Sequence, residues 1–417
     1  MRFLYTLLFY ALTPVILLRL YWKSRKLKQY RERLSERFLG RVNGDKTPVD
    51  IWLHAVSLGE VVAASPLIES FLKKNLRVCV TTMTPTGSAE VLRRFDSRVV
   101  HQYIPYDFPH ALRRFFQAIT PRVGVIMETE LWPNLISEAA GAGIHLFLVN
   151  GRISNKAYRQ YHMVRWLLRP ILKKFTCIMV QSPVDEARYK TLAGSTVQIK
   201  MLGNLKFDLT LSSGSREVAI SMKKALGETR PVLILASTHD SEEQQILQYL
   251  PELQKVVPNV LVLIAPRHPE RFQAVFELCS AQYRTGRRSL LETIGVDLDI
   301  VVLDSIGELM SFYSISDYAF VGGSFVPIGG HNVLEPIALN VPVCCGPFMQ
   351  NSQSIIDELL EAKALIQVNT PQALIASITE LYQDKRRVSS QTQCAQDMLK
   401  SNQGALARHI EVIEQSL

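Results

Sequence analysis

The 417-residue chain holds only six cysteines, Cys79, Cys177, Cys279, Cys344, Cys345 and Cys394, and no two form a CxxC pair. Scattered in this way they argue against a disulfide framework or a structural zinc site, and they fit a reducing compartment. Long apolar runs are equally scarce. A single stretch near residue 10 is long enough to enter a bilayer, which excludes a polytopic channel or transporter. There is no repeat of solenoid period and no low-complexity tract. Neither the GxGxxG dinucleotide fingerprint nor a P-loop GK[ST] is found. No His/Asp cluster offers ligands to a divalent ion, so no metal and no cofactor is expected.

What is present is globular composition, 47% hydrophobic and 20% charged. The length suggests two to three domains, each able to bury its own core. The formal charge is +9, with a pI near 9.2. Such a surface suits acidic partners: nucleic acid, anionic lipid or phosphorylated substrates. Nucleic acid is the weakest of these, because much of the basic excess is clustered near one end and no nucleic-acid module is recognisable.

Phe3 to Leu18 carry no charge, and the run to Trp22 is broken only by Arg19, which can snorkel. As a helix it spans about 30 Å, with Tyr21 and Trp22 where an aromatic belt would stand. Pro14 is positioned to kink it. Basic residues follow: Lys23, Arg25, Lys26, Lys28, Arg31, Arg33, Arg37 and Arg41. A secretory signal would place its charge first and a small-residue cleavage site after, so residues 1–22 are expected to be a single-pass anchor. The positive-inside rule puts everything that follows in the cytoplasm. Residues 23–49 read as a basic juxtamembrane segment, either touching anionic headgroups or simply solvated.

From residue 50, short apolar runs alternate with amphipathic ones. Apparent strands are Asp50–Ala55, Arg77–Thr82, Arg122–Met127, His145–Val149 and Cys177–Gln181, then Val232–Ala236, Val260–Ala265, Asp299–Leu303, Tyr318–Val321 and Pro342–Cys345. Helical patterns such as Val61–Lys74 and Ser88–Phe95 lie between them. This is the βαβ pattern of parallel sheets. A polar pause near 205–215 divides the run into two Rossmann-like domains, 50–205 and 206–417, facing a cleft, with a helical tail from Pro371.

Ligands of open parallel sheets bind beyond the carboxyl ends of the strands, so motifs that follow strands matter most. His54-Ala-Val-Ser-Leu-Gly-Glu60 follows the first strand. Ser57-x-x-Glu60 is a capping box, with Glu60 reaching back to an amide, yet a glutamate there can also act as a general base. Met127-Glu-Thr-Glu-Leu-Trp-Pro-Asn134 places Glu128 and Glu130 on one side if the chain stays extended; a solvated turn or a helix cap explains them equally well. In Gly203-Asn-Leu-Lys-Phe-Asp208, Lys206 is a phosphate partner or an ordinary linker lysine. Ala265-Pro-Arg-His-Pro-Glu270 presents Arg267 and His268 on a proline-stiffened turn, suited to a phosphate or a base edge. Val321-Gly-Gly-Ser-Phe-Val-Pro-Ile-Gly-Gly-His-Asn-Val-Leu-Glu-Pro336 has two glycine pairs that permit close backbone approach, and Asn332-x-x-Glu335 again resembles a capping box.

Together and in this order, HAVSLGE, METELWPN, GNLKFD, APRHPERF and GGSFVPIGGHNVLEP resemble the 3-deoxy-D-manno-octulosonic acid (Kdo) transferases, from the anchor to about residue 370. These bacterial inner-membrane enzymes build the first lipopolysaccharide core sugars onto lipid A precursor. The resemblance implies a GT-B fold, with the acceptor on the first domain and CMP-Kdo on the second. It places the general base at Glu60 and transition-state-assisting groups at Glu130 and Lys206. It places CMP contacts at Pro266, Arg267 and His268, at Ile306, Gly307 and Glu308, and at Asn332, Val333, Leu334 and Glu335. Ile306 and Val333 replace residues that are often methionine and proline in the family, at positions that read as backbone contacts. Two other readings stand beside it: a UDP-sugar epimerase of the same fold, which would share the glycine-rich loop but need neither an anchor nor a lipid acceptor, and a non-catalytic, membrane-tethered nucleotide-binding scaffold, which would retain the second-domain motifs while Glu60 and Glu130 are dispensable.

Overall fold

The structure, a computed structural model, describes residues 2–26, 28–42, 48–208, 221, 223–224, 226–293 and 297–417. Two compact units divide the chain: Met1–Asp208 together with Asn402–Leu417, and Leu209–Ser401. Residues 209–215 of the expected junction lie outside the described residues, as do the side chains of Lys23, Lys26 and Lys28.

The first unit is built on a parallel sheet of β1 (Ile51–His54), β2 (Val78–Thr82), β3 (Val100–Tyr103), β4 (Val123–Met127), β5 (His145–Gly151), β6 (Phe175–Val180) and β7 (Gln198–Met201), in the order β3-β2-β1-β4-β5-β6-β7. The second holds β8 (Val232–Thr238), β9 (Leu261–Pro266), β10 (Thr285–Arg287), β11 (Ile300–Val302), β12 (Tyr318–Val321), β13 (Val343–Cys345) and β14 (Ile366–Gln367), in the order β10-β11-β9-β8-β12-β13-β14. The central strands are apolar on both faces because helices cover both faces. In β1, for example, Ile51 and Leu53 belong to one core cluster and Trp52 to the other. Strand order reverses between β1 and β4 in the first sheet and between β8 and β12 in the second. Those two crevices are where a doubly wound sheet takes its ligands.

The chain end departs from the expected boundary. Lys206 to Asp208 and residues 402–417 belong to the first unit, not the second. Helix Ala405–Glu414 carries an apolar stripe, Ala405, Val412 and Ile413, that joins the cluster around Leu67, Ile68 and Phe71. The Asp208 carboxylate accepts from Gly404 N at 3.2 Å and Leu406 N at 2.8 Å, so the end of the GNLKFD motif caps this returning helix.

The expected anchor is not one helix. Arg2–Ala11 and Thr13–Lys26 meet at a bend of 50°, and among the described residues no single helix is long and apolar enough to cross a membrane. Pro14, lacking an N–H, stands in the first turn of the second helix, where it cannot continue the hydrogen bonding of the first. The inner face of the pair is fastened to the first unit. Arg2 Nε donates to Asn134 Oδ1 at 2.9 Å, Phe9 meets the edge of Phe108, and Ile16 and Leu20 pack in the cluster of Tyr106 and Phe108. The outer face leaves Leu4, Leu8, Leu18 and Trp22 exposed.

Among the described side chains of the basic flank, Arg33 is half-buried and Arg37 is buried. Arg33 Nε donates to Glu36 at 2.6 Å and its Nη2 to His101 O at 3.0 Å, while Arg37 is only 1% exposed and lies 3.6 Å above the Tyr103 ring. The short helix Leu34–Leu39 carries both against β3.

Candidate active site

In the first unit, the turns after β1 and β4 bring the acidic residues together. Ser57 caps helix Leu58–Lys73, its Oγ accepting from Glu60 N at 3.4 Å. Glu60 reaches back, but to the Val56 amide and not that of Ser57: Val56 N donates to Oε2 at 2.8 Å, and Ser57 Oγ to Oε1 at 2.9 Å. Glu60 is thus both a cap and a carboxylate held in one rotamer. It is 8% exposed. Burial, reinforced by the nearby Glu128 and Glu130 carboxylates, pushes its pKa up to about 8 against the pull of the two hydrogen bonds.

β4 ends at Met127, and Glu128 takes a left-handed conformation, φ +56°. The extended geometry that would align Glu128 and Glu130 therefore breaks at its first residue, and the two carboxylates find different partners. Glu128 Oε1 lies 2.7 Å from Lys206 Nζ. Glu130 accepts from Trp132 Nε1 at 2.8 Å, and burial raises its pKa. Lys206 is therefore not an ordinary linker lysine. Its turn is pinned by Leu205 N to Asn150 Oδ1 at 3.0 Å and by Asn204 Oδ1, which accepts from Lys206 N at 3.0 Å. Glu60, Glu128, Glu130 and Lys206 form one group at the β1/β4 crevice, and Glu128, which the resemblance left without a role, is its ionic partner.

In the second unit, Pro266, Arg267, Ile306, Gly307 and Glu308 line one cavity of about 180 Å³, whose wall includes Phe272 and Phe312. Glu308 is oriented by Arg288 at 3.0 Å and by the Ser305 hydroxyl. Gly307 has φ +89°, which turns the chain at the cavity mouth and leaves Ile306 exposed. His268 and Asn332 to Glu335 are not part of this cavity. His268 is exposed, its ring 5.2 Å from that of His239. Val333 and Leu334 point into the core, so any ligand contact there is through backbone. Burial raises the pKa of Glu335, opposed by Asn332, whose Nδ2 donates to it at 3.1 Å, and by the Arg267 charge. Arg267 thus stands between the cavity and Glu335.

The glycine-rich loop works differently from the expectation. Its turn amides already hold an anion from the protein itself. The buried Glu242 carboxylate accepts from Gly323 N at 2.7 Å, Ser324 N at 3.0 Å, Phe325 N at 2.8 Å and His239 N at 2.8 Å. A Cβ on Gly322 would meet Ser237 O and the Thr238 Cα at 2.8 Å, and one on Gly330 would meet Met349 Sδ at 2.1 Å. Gly322 and Gly330 thus permit close packing within the protein. The Asn332 capping box is also incomplete: Asn332 Oδ1 accepts from Leu334 N at 3.0 Å, and Glu335 bonds the Asn332 side chain instead of a backbone amide.

His239 and His331, given no role in the sequence reading, face each other with Nε2 atoms 2.8 Å apart, beside His268 and Arg267. Burial and these neighbours lower the pKa of His331 to about 4. The signal for His239 and Glu242 was their place after β8, in Thr238-His-Asp-Ser-Glu-Glu243. Among the described residues, no group of three His, Cys, Asp or Glu side chains is arranged to hold a metal ion.

Comparison with known proteins accords with this geometry. Residues 30–209 match the family described as 3-Deoxy-D-manno-octulosonic-acid transferase (kdotransferase). The 3-deoxy-D-manno-octulosonic acid transferase of Haemophilus influenzae is 36% identical over 418 aligned residues, covering 99% of this chain and 98% of that one. The solved C-terminal CMP-Kdo binding domain of WaaA from Acinetobacter baumannii is 35% identical, covers 44% of this chain and 96% of that one, and has a TM-score of 0.42. MurG of Acinetobacter baumannii, 11% identical, superimposes on 88% of this chain and 100% of its own with a TM-score of 0.54, a likeness of fold alone. The two parallel sheets are those of a GT-B glycosyltransferase. With the identity spread over nearly its whole length, the chain belongs to the 3-deoxy-D-manno-octulosonic acid transferase family and is a glycosyltransferase of lipopolysaccharide biosynthesis.

Proposed function

We propose that the chain moves Kdo from CMP-Kdo to a sugar hydroxyl of the lipid A precursor lipid IVA, inverting the anomeric centre and releasing CMP. The observation that carries this reading is Glu60: a carboxylate fixed by Val56 N and Ser57 Oγ, with its pKa pushed up to about 8, at the crevice where the first sheet changes direction. A base of that strength takes a hydroxyl proton far more readily than an ordinary surface carboxylate. The acceptor oxygen attacks the anomeric carbon as its proton passes to Glu60, and the bond to the CMP phosphate breaks with its electron pair leaving on CMP. Lys206, paired with Glu128, keeps a positive charge beside the acidic group, and Glu130 is held by Trp132. On the second unit, the cavity of Pro266 and Ile306 to Glu308 takes the CMP base, Arg267 its phosphate, and Glu335 the ribose hydroxyls. The assay that tests the reading supplies CMP-Kdo and tetraacylated lipid A precursor and resolves the products by mass: a mass increase of one or more Kdo residues supports it, and an unchanged precursor contradicts it.

The same reading places the N-terminal helix pair in the cytoplasmic face of a bacterial inner membrane, among anionic lipids. The exposed Leu4, Leu8, Leu18 and Trp22 and the basic residues that follow support it. Removing residues 1–22 should weaken membrane association. Digestion beyond residue 50 by protease added outside spheroplasts would contradict the cytoplasmic placement.

A further inference from the structure

Beneath the N-terminal helices of the first unit lies a cavity of about 620 Å³, within the range of ligand-binding cavities, roughly 300–1,000 Å³. Phe9, Ile16 and Leu20 roof it, and Met83, Leu131 and Trp132 form much of its floor. Two features set it apart from a packing defect. Its floor is continuous with the acidic site: Val56, whose amide holds Glu60, and Trp132, which holds Glu130, both line it. Its wall also contains a buried cation. Arg37 is 1% exposed and stacks on the Tyr103 ring; its Nη1 donates to Met83 O at 3.0 Å, while Nε and Nη2 find no hydrogen-bond partner among the described residues. A guanidinium stripped of water with two unanswered nitrogens is costly unless an anion reaches it. Arg19, exposed on the second helix, lines the same cavity and so marks where it opens to the surface.

Apolar walls call for a hydrocarbon chain, and the unanswered guanidinium calls for a phosphate. A phosphorylated, acylated lipid supplies both at once. The helices that roof the cavity present their other face, with Leu4, Leu8 and Leu18, outward. A lipid therefore passes from an apolar surface into the cavity without its chain crossing water. We infer that this cavity, roofed by Ile16 and Leu20 and walled by Arg37, receives one acyl chain of the phosphorylated glycolipid acceptor, with Arg37 on its phosphate. The inference rests on the Kdo-transfer reading and adds to it where the lipid part of the acceptor is held. A chain seated there brings the sugar hydroxyl toward Glu60, and the N-terminal helices become part of the acceptor site as well as an attachment to the membrane.

The test uses the full-length chain in detergent micelles with CMP-Kdo and two acceptors: tetraacylated lipid A precursor and its fully deacylated, still phosphorylated disaccharide. The readout is the ratio of kcat/KM for the two. Wild type should prefer the acylated acceptor strongly. Ile16→Trp fills the cavity and should cut that preference by about tenfold, the cost of a few methylenes displaced from an apolar site. Leu20→Phe provides a second, smaller filling should the first variant fold poorly. Arg37→Gln should raise KM for both acceptors by about tenfold, since both keep the phosphate. An unchanged preference in both filling variants, with both folded by circular dichroism, overturns the acyl-chain assignment while leaving Kdo transfer intact. A wild-type enzyme that transfers Kdo to neither acceptor overturns the underlying function, and the inference with it.

Discussion

Lys206 Nζ lies 2.7 Å from Glu128 Oε1, an ion pair that spans 78 positions of sequence and ties the turn after β4 to the turn after β7. It exists because Glu128 leaves the strand in a left-handed conformation, φ +56°, and so points away from the course that Glu130 follows. A non-glycine residue in that region is strained, and strain of this kind clusters at functional sites. The pair also sets the electrostatics of Glu60, since the Glu128 carboxylate is the largest charged contribution to its raised pKa after burial itself.

Glu128→Gln should therefore move the activity profile. With Glu60 as base, kcat/KM rises with pH toward a plateau above about 8. Removing the Glu128 charge lowers the Glu60 pKa, so the rising limb should shift to lower pH. A pH–rate profile of the variant that overlays wild type would remove Glu128 from this role.

The same carboxyl gives stability a pH dependence of definite sign. The folded pKa of Glu60 is raised to about 8, above the ordinary value of 4.5, so the folded chain holds a proton that the unfolded chain releases. The native state is thus favoured at low pH, and this contribution falls away as pH climbs from 4.5 through 8, by at most about 1.4 kcal/mol per pH unit. Denaturant unfolding between pH 5 and 8 should show a shallower decline in Glu60→Gln than in wild type.

In the second unit, Arg267→Ala removes a charged donor from the lining of the Pro266 cavity and should weaken CMP binding by about 1.5–3 kcal/mol in calorimetry. Glu242→Gln should act one step further back. Its amide cannot accept four backbone donors as the carboxylate does, so the turn at Gly323 to Phe325 loosens. Thermal unfolding of the isosteric variant should fall, by on the order of 2 kcal/mol. An unchanged midpoint would mean that the turn does not depend on that carboxylate.

Metal independence is a further expectation. Transfer should proceed at its full rate in excess EDTA. A strict requirement for added magnesium or manganese would refute it.

Much of this was legible in the sequence, for a reason that also explains what was not. Ten strands were read from continuous apolar runs, and these include every central strand, buried on both faces. The four that were missed, β3, β7, β10 and β14, are the four sheet edges. An edge strand has one covered side and few buried residues. Gln198, Ile199, Lys200 and Met201 of β7, for example, are all partly or fully exposed, so they leave no run to read. The site motifs were found because they follow strands, but Glu128 and Glu130 do not align as an extended chain would have placed them. What the sequence did not show were pairings set by tertiary structure: Lys206 with Glu128, Glu242 in the glycine turn, His239 against His331, and a last helix that returns to the first unit. The N-terminal apolar run bends by 50° at the break beside Pro14, where the sequence placed a kink, so only the helix pair together has the length and composition of a span.

Glu60→Gln is the most direct test of the account. The amide keeps the shape of the side chain and still bonds within the Val56–Ser57 turn, so folding should be retained; CMP binding, which belongs to the other unit, should stay near wild type. Ser57→Ala serves as the control for the cap alone and should cost about 1 kcal/mol of stability with transfer retained. If Glu60 is the general base, the initial rate of Kdo transfer to tetraacylated lipid A precursor should fall by roughly 10²–10⁴-fold in a folded, CMP-binding Glu60→Gln enzyme. A folded variant that transfers Kdo near the wild-type rate would contradict the account, leave Glu60 a helix cap, and turn the search for the base to Glu128 and Glu130.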